Sequence, residues 1–210
     1  MDSSDDFLDS VSCAVIQPED CIIAYIDVLG TKSVLSSDDE SKVTEFVNHL
    51  RTLYGYIVKT DANKRIFSDN IVIFDSYSEE NLRKIVDIVS STQYYLLMRY
   101  KLASRGGIAR GILYYNEDFI LGKGLVDAYL LESEKALSPR VIIDPDLVID
   151  SNLVCKSLSD DFYMINYIEH SCDEDSDTPD YDIVRKHKLV LEELIETNRH
   201  NTDDEERVKI

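Results

Sequence analysis

Apolar positions recur along this chain with two periods, and the switches between them mark its elements. Cys21-Ile-Ile-Ala-Tyr-Ile-Asp-Val-Leu-Gly30 is rich in β-branched residues and stops at a glycine. Such a run predicts a strand from about Ile22 to Val28, buried on at least one face. Alternation puts Ile23, Tyr25 and Asp27 on one face and Ile22, Ala24, Ile26 and Val28 on the other. Gly30-Thr-Lys-Ser33 then makes a turn. Ser36-Ser-Asp-Asp-Glu40 supplies cap candidates and acids for a helix start. The helix behind it carries Val43, Phe46, Val47, Leu50, Leu53 and Tyr54 at three- and four-residue spacing.

Lys64 to Phe67 and Ile71 to Tyr77 read as a hairpin with Ser68-Asp69-Asn70 at its tip, Asn70 being the residue suited to a left-handed backbone. A long helix follows from Ser78 to about Leu102, ended by Ser104-Arg-Gly-Gly107. Ile108 to Tyr115 pairs with Phe119 to Leu121 as a second hairpin, and Gly122-Lys-Gly124 leads into a helix from about Leu125 to Leu137, which Pro139 stops. Val141 to Ile143 and Phe162 to Ile168 are later strands. Ile183, Val184, His187, Val190, Leu191, Leu194 and Ile195 lay out an amphipathic C-terminal helix. The opening order, βαββα, predicts an α+β fold with a ferredoxin-like antiparallel sheet and helices on one face.

Length and charge refine this picture. The chain has 210 residues, enough for one well-buried core. The expected divisions are a flexible acidic segment over 1–20, one domain over 21–170, an acidic loop over 171–182, the amphipathic helix over 183–200 and a frayed tail over 201–210. The formal net charge of −19 argues against a general binder of nucleic acid or anionic membrane. Much of it is local. Residues 1–20 and 171–182 each hold six acids and no Lys or Arg, so the folded body can still offer a basic pocket to an anionic substrate.

Cys13, Cys21, Cys155 and Cys172 form no CxxC pair, and His49, His170, His187 and His200 show no ligand spacing. Reduced thiols in the cytoplasm are the expectation. The opening Met1-Asp-Ser-Ser-Asp-Asp-Phe7 is acidic where a signal peptide is basic, and no apolar run approaches a membrane span. No direct membrane contact is expected, and the C-terminal helix is expected to pack on its own domain or on a second copy.

The chemistry centres on Asp27. A carboxylate on a half-buried strand costs several kcal/mol unless something positive or hydrogen-bonding meets it. In a ferredoxin-like sheet the first strand lies beside the strand of the first hairpin, so Asp69 at that hairpin's tip can converge on Asp27. Two acids brought together this way could hold divalent metal for phosphate chemistry.

At these residues the sequence resembles the class III nucleotide cyclases, whose catalytic domain has one metal-binding Asp at the end of its first strand and another at the tip of the next hairpin. Tyr25-Ile-Asp-Val-Leu-Gly-Thr31 and Phe67-Ser-Asp-Asn70 match those places. Arg105-Gly-Gly-Ile-Ala-Arg-Gly111, Gly122-Lys-Gly-Leu-Val126, Leu131-Glu-Ser-Glu-Lys-Ala136 and Pro139-Arg-Val-Ile-Ile143 follow in the family's order, and the likeness spans roughly residues 20 to 145. Arg-Gly-Gly-Ile and Pro-Arg-Val-Ile look most like the pyrimidine cyclases of the bacterial anti-phage system called Pycsar.

That resemblance implies conversion of UTP, preferred over CTP, to the 3′,5′-cyclic monophosphate and pyrophosphate. It also implies a homodimer with active sites between subunits, and a separate effector that senses the cyclic nucleotide. Two divalent ions, Mn²⁺ or Mg²⁺, would sit on Asp27, Asp69 and the backbone carbonyl of Val28. The turn Leu29-Gly30-Thr31-Lys32 would meet the β- and γ-phosphates, Arg65 would read the base, and Arg105 or Arg110 would stabilise transition-state charge, with Arg140 a further candidate. Purine cyclases place an Asn and an Arg one turn apart on the helix after the glycine turn. Here Asp127 stands in for the Asn, and Val126-Asp-Ala-Tyr-Leu-Leu131 supplies no arginine. The competing readings are an adenylate or guanylate cyclase and a catalytically silent cyclase-like module that binds nucleotide.

Overall fold

The computed structural model describes residues 16–171 and 181–200. The 1–20 segment for the most part, most of the 171–182 loop, and the 201–210 tail lie outside the described residues.

Strand β1 (Glu19–Val28) lies inside the sheet with a neighbour on each side, as its unbroken apolar run requires. It is followed by a short helix α1 (Thr31–Leu35), where the sequence suggested only a turn, and by α2 (Glu40–Val58). The Asp39 side chain caps α2, accepting from the Ser41 and Lys42 amides at 3.1 and 3.3 Å, an interaction worth about 1 kcal/mol. Next come the hairpin β2 (Asn63–Phe67) and β3 (Asn70–Ser76), then α3 (Glu79–Tyr100), capped by Ser78. The chain returns as β4 (Ser104–Tyr115), turns into the short β5 (Ile120–Leu121), and forms α4 (Lys123–Leu130), which runs into a π-helical turn over Leu131–Lys135. β6 (Val141–Ile143), β7 (Val154–Lys156), β8 (Tyr163–Ile165) and α5 (Tyr181–His200) complete it.

The sheet order is β2-β3-β1-β4-β6-β8-β7, with β5 paired to β4. Its first four strands are antiparallel and ordered as in a ferredoxin-like core, β4-β1-β3-β2. β6 departs from the antiparallel pattern by running parallel to β4. Parallel neighbours need a crossover, and α4 with its π-helical turn is that crossover. The face of β1 carrying Ile22, Ala24, Ile26 and Val28 packs with Phe46, Leu50, Leu53 and Ile57 of α2 and Leu82, Ile85, Val86 and Val89 of α3. Each buried Val, Leu, Ile or Phe side chain among them contributes about 1.5–3 kcal/mol. With that face filled, α4 crosses on the other, where Ala128 joins Cys21, Ile23, Val72, Phe74, Ala109 and Leu113. Helices therefore cover both faces, correcting the one-sided expectation.

Gly107 permits the approach of α4. A Cβ there would lie 2.3 Å from the Ala128 carbonyl oxygen and 2.5 Å from the Leu131 Cβ. Gly107→Ala is expected to destabilise the chain by about 1–3 kcal/mol through overpacking, read as a lowered urea midpoint.

Three local expectations change. Ser104 to Gly107 is the start of β4 rather than a helix terminator, because α3 ends at Lys101 in a left-handed conformation (φ 54°). The left-handed residue of the first hairpin is Ser68 (φ 55°), whereas Asn70 is the first residue of β3. The helix after the glycine turn, α4, ends its α-helical course at Leu130, short of Leu137. The C-terminal helix α5 packs on its own domain. Lys101 pairs with Glu193 at 2.7 Å, and buried His187 lies against the Tyr167 ring, centroids 5.3 Å apart. Among the described residues no helix is long and apolar enough to cross a membrane.

Candidate active site

The site forms where β1 ends. Asp27 is the last residue of β1 on the face covered by α4, paired across β3 with Asn70 and across β4 with Arg105. The β2–β3 turn is only Ser68-Asp69, and the Val28 amide donates to the Asp69 carbonyl at 3.1 Å, which locks the turn to the strand end. From the other side the Tyr54 hydroxyl of α2 donates to the Ser68 carbonyl at 2.6 Å. Asp27 and Asp69, distant in sequence, are thus brought together, each half-buried. Burial, and next the Asp69 charge, raise the Asp27 carboxyl above the ordinary aspartate range, while Arg105 opposes the shift.

Arg105 faces the same site. Its guanidinium lies 3.5 Å from Asp27 and forms a closer ion pair with Glu132 in the π-helical turn after α4. Glu132 is almost wholly buried, at 3% exposure. Burial raises its carboxyl, Arg105 lowers it, and Asp27 raises it again. One guanidinium therefore serves two acids beside a third, Asp69, and the cluster keeps an excess of negative charge.

Tyr25 and Asn70 complete the arrangement. The Tyr25 hydroxyl donates to Asn70 Oδ1 at 2.7 Å, and Asn70 Nδ2 donates to Asp69 Oδ1 at 3.2 Å. Burial, then the charges of Glu132 and Asp27, push the Tyr25 phenol up to about 12, so it stays a donor at neutral pH. Its ring meets Tyr129 of α4 edge-on, centroids 5.5 Å apart.

The turn after β1 has a defined build. Gly30 is left-handed (φ 89°) at the start of α1, and buried Thr31 donates its hydroxyl to the Val28 carbonyl at 2.9 Å. A carbonyl has two lone pairs, so Val28 retains one for a ligand. The Leu29 amide is spent on the Ala103 carbonyl at 2.9 Å and does not donate to a phosphate. Lys32 is exposed on α1.

Other sequence candidates lie elsewhere. Arg110 is five positions beyond Arg105 on β4, so alternation puts it on the opposite face. There it pairs with Asp20 at 2.6 Å and covers the Tyr77 ring; it does not join the site. Arg140 pairs with Asp160 at 2.6 Å and braces the fold. Arg65 shares the Asp27 face but donates to the Lys64 and Asn116 carbonyls. Asp127 pairs with Lys123 one turn back on α4. Sequence reasoning missed the roles of Glu132, Tyr25 and Asn70. For Glu132 there was a signal: Leu125, Ala128 and Glu132 follow helical spacing, which sets an acid on the buried stripe of α4.

The donor set suits a divalent cation. Asp27 carries its charge against burial and against the neighbouring Asp69 charge, and bound Mg²⁺ typically uses one or two carboxylates together with water and substrate phosphate oxygens. Among the described residues no group of three or more His, Cys, Asp or Glu gathers in metal-holding geometry. Asp27, Asp69 and the Val28 carbonyl are the groups that would hold such an ion.

No family model matches the sequence, and no curated protein matches it. Solved structures do match the fold. The adenylyl cyclase CyaB from P. aeruginosa aligns at 13% identity over 79% of this chain and 100% of that one, with a TM-score of 0.55. The monomeric guanylyl cyclase domain of the RhoGC fusion protein from the aquatic fungus Blastocladiella emersonii aligns at 13% identity over 73% of this chain and 98% of that one, with a TM-score of 0.58. The catalytic core of a rhodopsin-guanylyl cyclase with converted specificity, in complex with ATPαS, aligns at 10% identity over 72% and 98%, with a TM-score of 0.55. The chain has the fold of the class III nucleotidyl cyclase domains.

Proposed function

We propose that this chain is a metal-dependent nucleotide cyclase acting on a pyrimidine nucleoside triphosphate, UTP in preference to CTP, and releasing the 3′,5′-cyclic monophosphate and pyrophosphate. One observation carries it: Asp27 and Asp69 come from separate elements to the end of one strand, where burial and the Asp69 charge raise the Asp27 carboxyl. Asp27, Asp69 and the Val28 carbonyl hold two divalent ions, Mn²⁺ or Mg²⁺. When bound, such ions supply the positive charge that activates the ribose 3′-hydroxyl and stabilises the departing pyrophosphate. The turn from Gly30 to Lys32 meets the triphosphate. Arg105 keeps Asp27 and Glu132 in place and adds positive charge near the α-phosphate. Exposed Val126, Tyr129 and Leu130 on α4 flank this face and suit a second copy in a homodimer. The pyrimidine preference, and a role in anti-phage defence through a separate effector sensing the product, follow the resemblance of Arg105-Gly-Gly-Ile108 and Pro139-Arg-Val-Ile142 to the Pycsar enzymes.

A second reading, a silent module that binds nucleotide, is favoured by one observation. Arg110 is tied to Asp20 on the far face, and Arg105 is shared between two acids, so neither guanidinium is uncommitted. Incubating the full chain with Mn²⁺ and each of the four ribonucleoside triphosphates separates the readings. Pyrophosphate and a cyclic mononucleotide are expected from UTP or CTP. A product from ATP or GTP alone reassigns the base. Calorimetric binding of nucleotide without any product selects the silent module.

A further inference from the structure

We infer that Tyr25 and Asn70 are positioning residues that hold the Asp69 carboxylate in its cation-binding orientation, acting as a hydrogen-bond relay from the sheet interior to the hairpin tip. This rests on the reading that Asp27 and Asp69 share divalent cations. The relay has a direction. A phenol hydroxyl donating to Asn70 Oδ1 at 2.7 Å sets which way the amide faces, and the Nδ2 end then donates to Asp69 Oδ1 at 3.2 Å. With the amide reversed, two oxygens would meet at Asp69. The anchor point is itself rigid, because the Tyr25 ring is wedged against Tyr129 and β3 fixes the Asn70 backbone opposite Asp27.

The relay meets a geometric need. Asp69 stands in a two-residue turn after a left-handed Ser68, so sheet packing does not hold its side chain as it holds Asp27. Asn70 anchors one carboxylate oxygen, and no described residue donates to Oδ2, which is left for the cation. Partners of this kind are typically worth 10–100-fold in metal affinity.

The test is Mn²⁺ titration of the full chain by electron paramagnetic resonance, with the Mn²⁺ half-saturation of nucleotide turnover as a second readout. Asn70→Ala and Tyr25→Phe are each expected to weaken Mn²⁺ binding about tenfold. The Tyr25→Phe chain should melt within about 4 °C of the parent, since it loses a single hydroxyl and keeps the ring contact. The double variant is expected to bind no worse than Asn70→Ala, because both changes cut one relay. Parent-like Mn²⁺ binding in Tyr25→Phe, or defects that multiply in the double variant, would overturn the relay while Asp69→Ala remains defective. Should Asn70→Ala fail to fold, Tyr25→Phe decides alone. Parent-like binding in Asp69→Ala removes the two-acid reading and the relay with it, whereas normal relay effects without turnover leave the relay standing and remove the cyclase.

Discussion

Replacing Asp27 by asparagine is expected to abolish nucleotide turnover and, at neutral pH, to raise the melting temperature. The two effects share one cause. Asp27 is largely desolvated and repelled by Asp69, and both push its folded pKa above the ordinary value of 3.8. A raised carboxylate pKa means that the folded state binds the proton more tightly than the unfolded chain. The stability this brings is complete below about 3.8 and is lost as pH rises through the folded pKa. At pH 7 the ionised acid is therefore a net cost in the metal-free protein. Asparagine removes that cost and leaves Arg105 paired with Glu132. A gain of about 2–4 °C per kcal/mol relieved is expected for a chain of this size, and the advantage over the parent should shrink as pH falls toward 3.8. Loss of one of the two proposed ligand carboxylates should lower turnover by roughly 10³-fold, the upper range for removing one electrostatic contact to the transition state. Mn²⁺ should raise the melting temperature of the parent and not of the variant. Thermal melts across pH with and without Mn²⁺, alongside pyrophosphate release, check all of this. An unchanged rate in Asp27→Asn would remove the proposed chemistry.

Removing Arg105 is expected to have the opposite effect on stability. Its guanidinium is the shared counter-ion of Asp27 and the buried Glu132. Arg105→Ala leaves Glu132 buried beside the Asp27 charge. Breaking a buried pair in this way costs about 3–5 kcal/mol. The lower end applies, because the arginine side chain is 36% exposed and Glu132, whose carboxyl is already raised by burial, can take up a proton. A fall of roughly 6–12 °C in melting temperature follows. The double replacement Arg105→Met with Glu132→Met should recover most of it, since an apolar pair of similar volume carries no desolvation cost. The double variant should nonetheless remain inactive if Arg105 supplies charge to the reacting phosphate, and calorimetry beside a turnover assay separates the two roles. A single Arg105→Ala chain as stable as the parent would contradict the ion-pair account.

Much of this site could be read along the chain. Asp27 stood out as a lone acid in an apolar run, and Asp69 as a hairpin tip. Their meeting followed from the ferredoxin-like order, which the sheet has. The arginines were harder. A helix end over Ser104 to Gly107 gives Arg105 no strand face and leaves Arg110 an equal candidate. Once β4 starts at Ser104, the odd spacing between them sends the two side chains to opposite faces. The hairpin offers a similar lesson. Asn70 is chemically suited to a left-handed turn, but the register Phe67↔Asn70 gives that conformation to Ser68 and leaves the Asn70 amide for Tyr25 and Asp69.

Local order alone determined the period-2 run of β1, the amphipathic faces of α2 and α3, the caps at Asp39 and Ser78, and the anomaly of Asp27. These depend on neighbours within a few positions, where steric preference and the cost of desolvating a charge act directly. Only the tertiary structure decided that α4 covers the second face, that Glu132 meets Arg105, and that Tyr25 reaches Asp69 through Asn70. Each of those depends on the register between strands far apart in the chain, and a one-residue shift in register exchanges the two faces of a sheet.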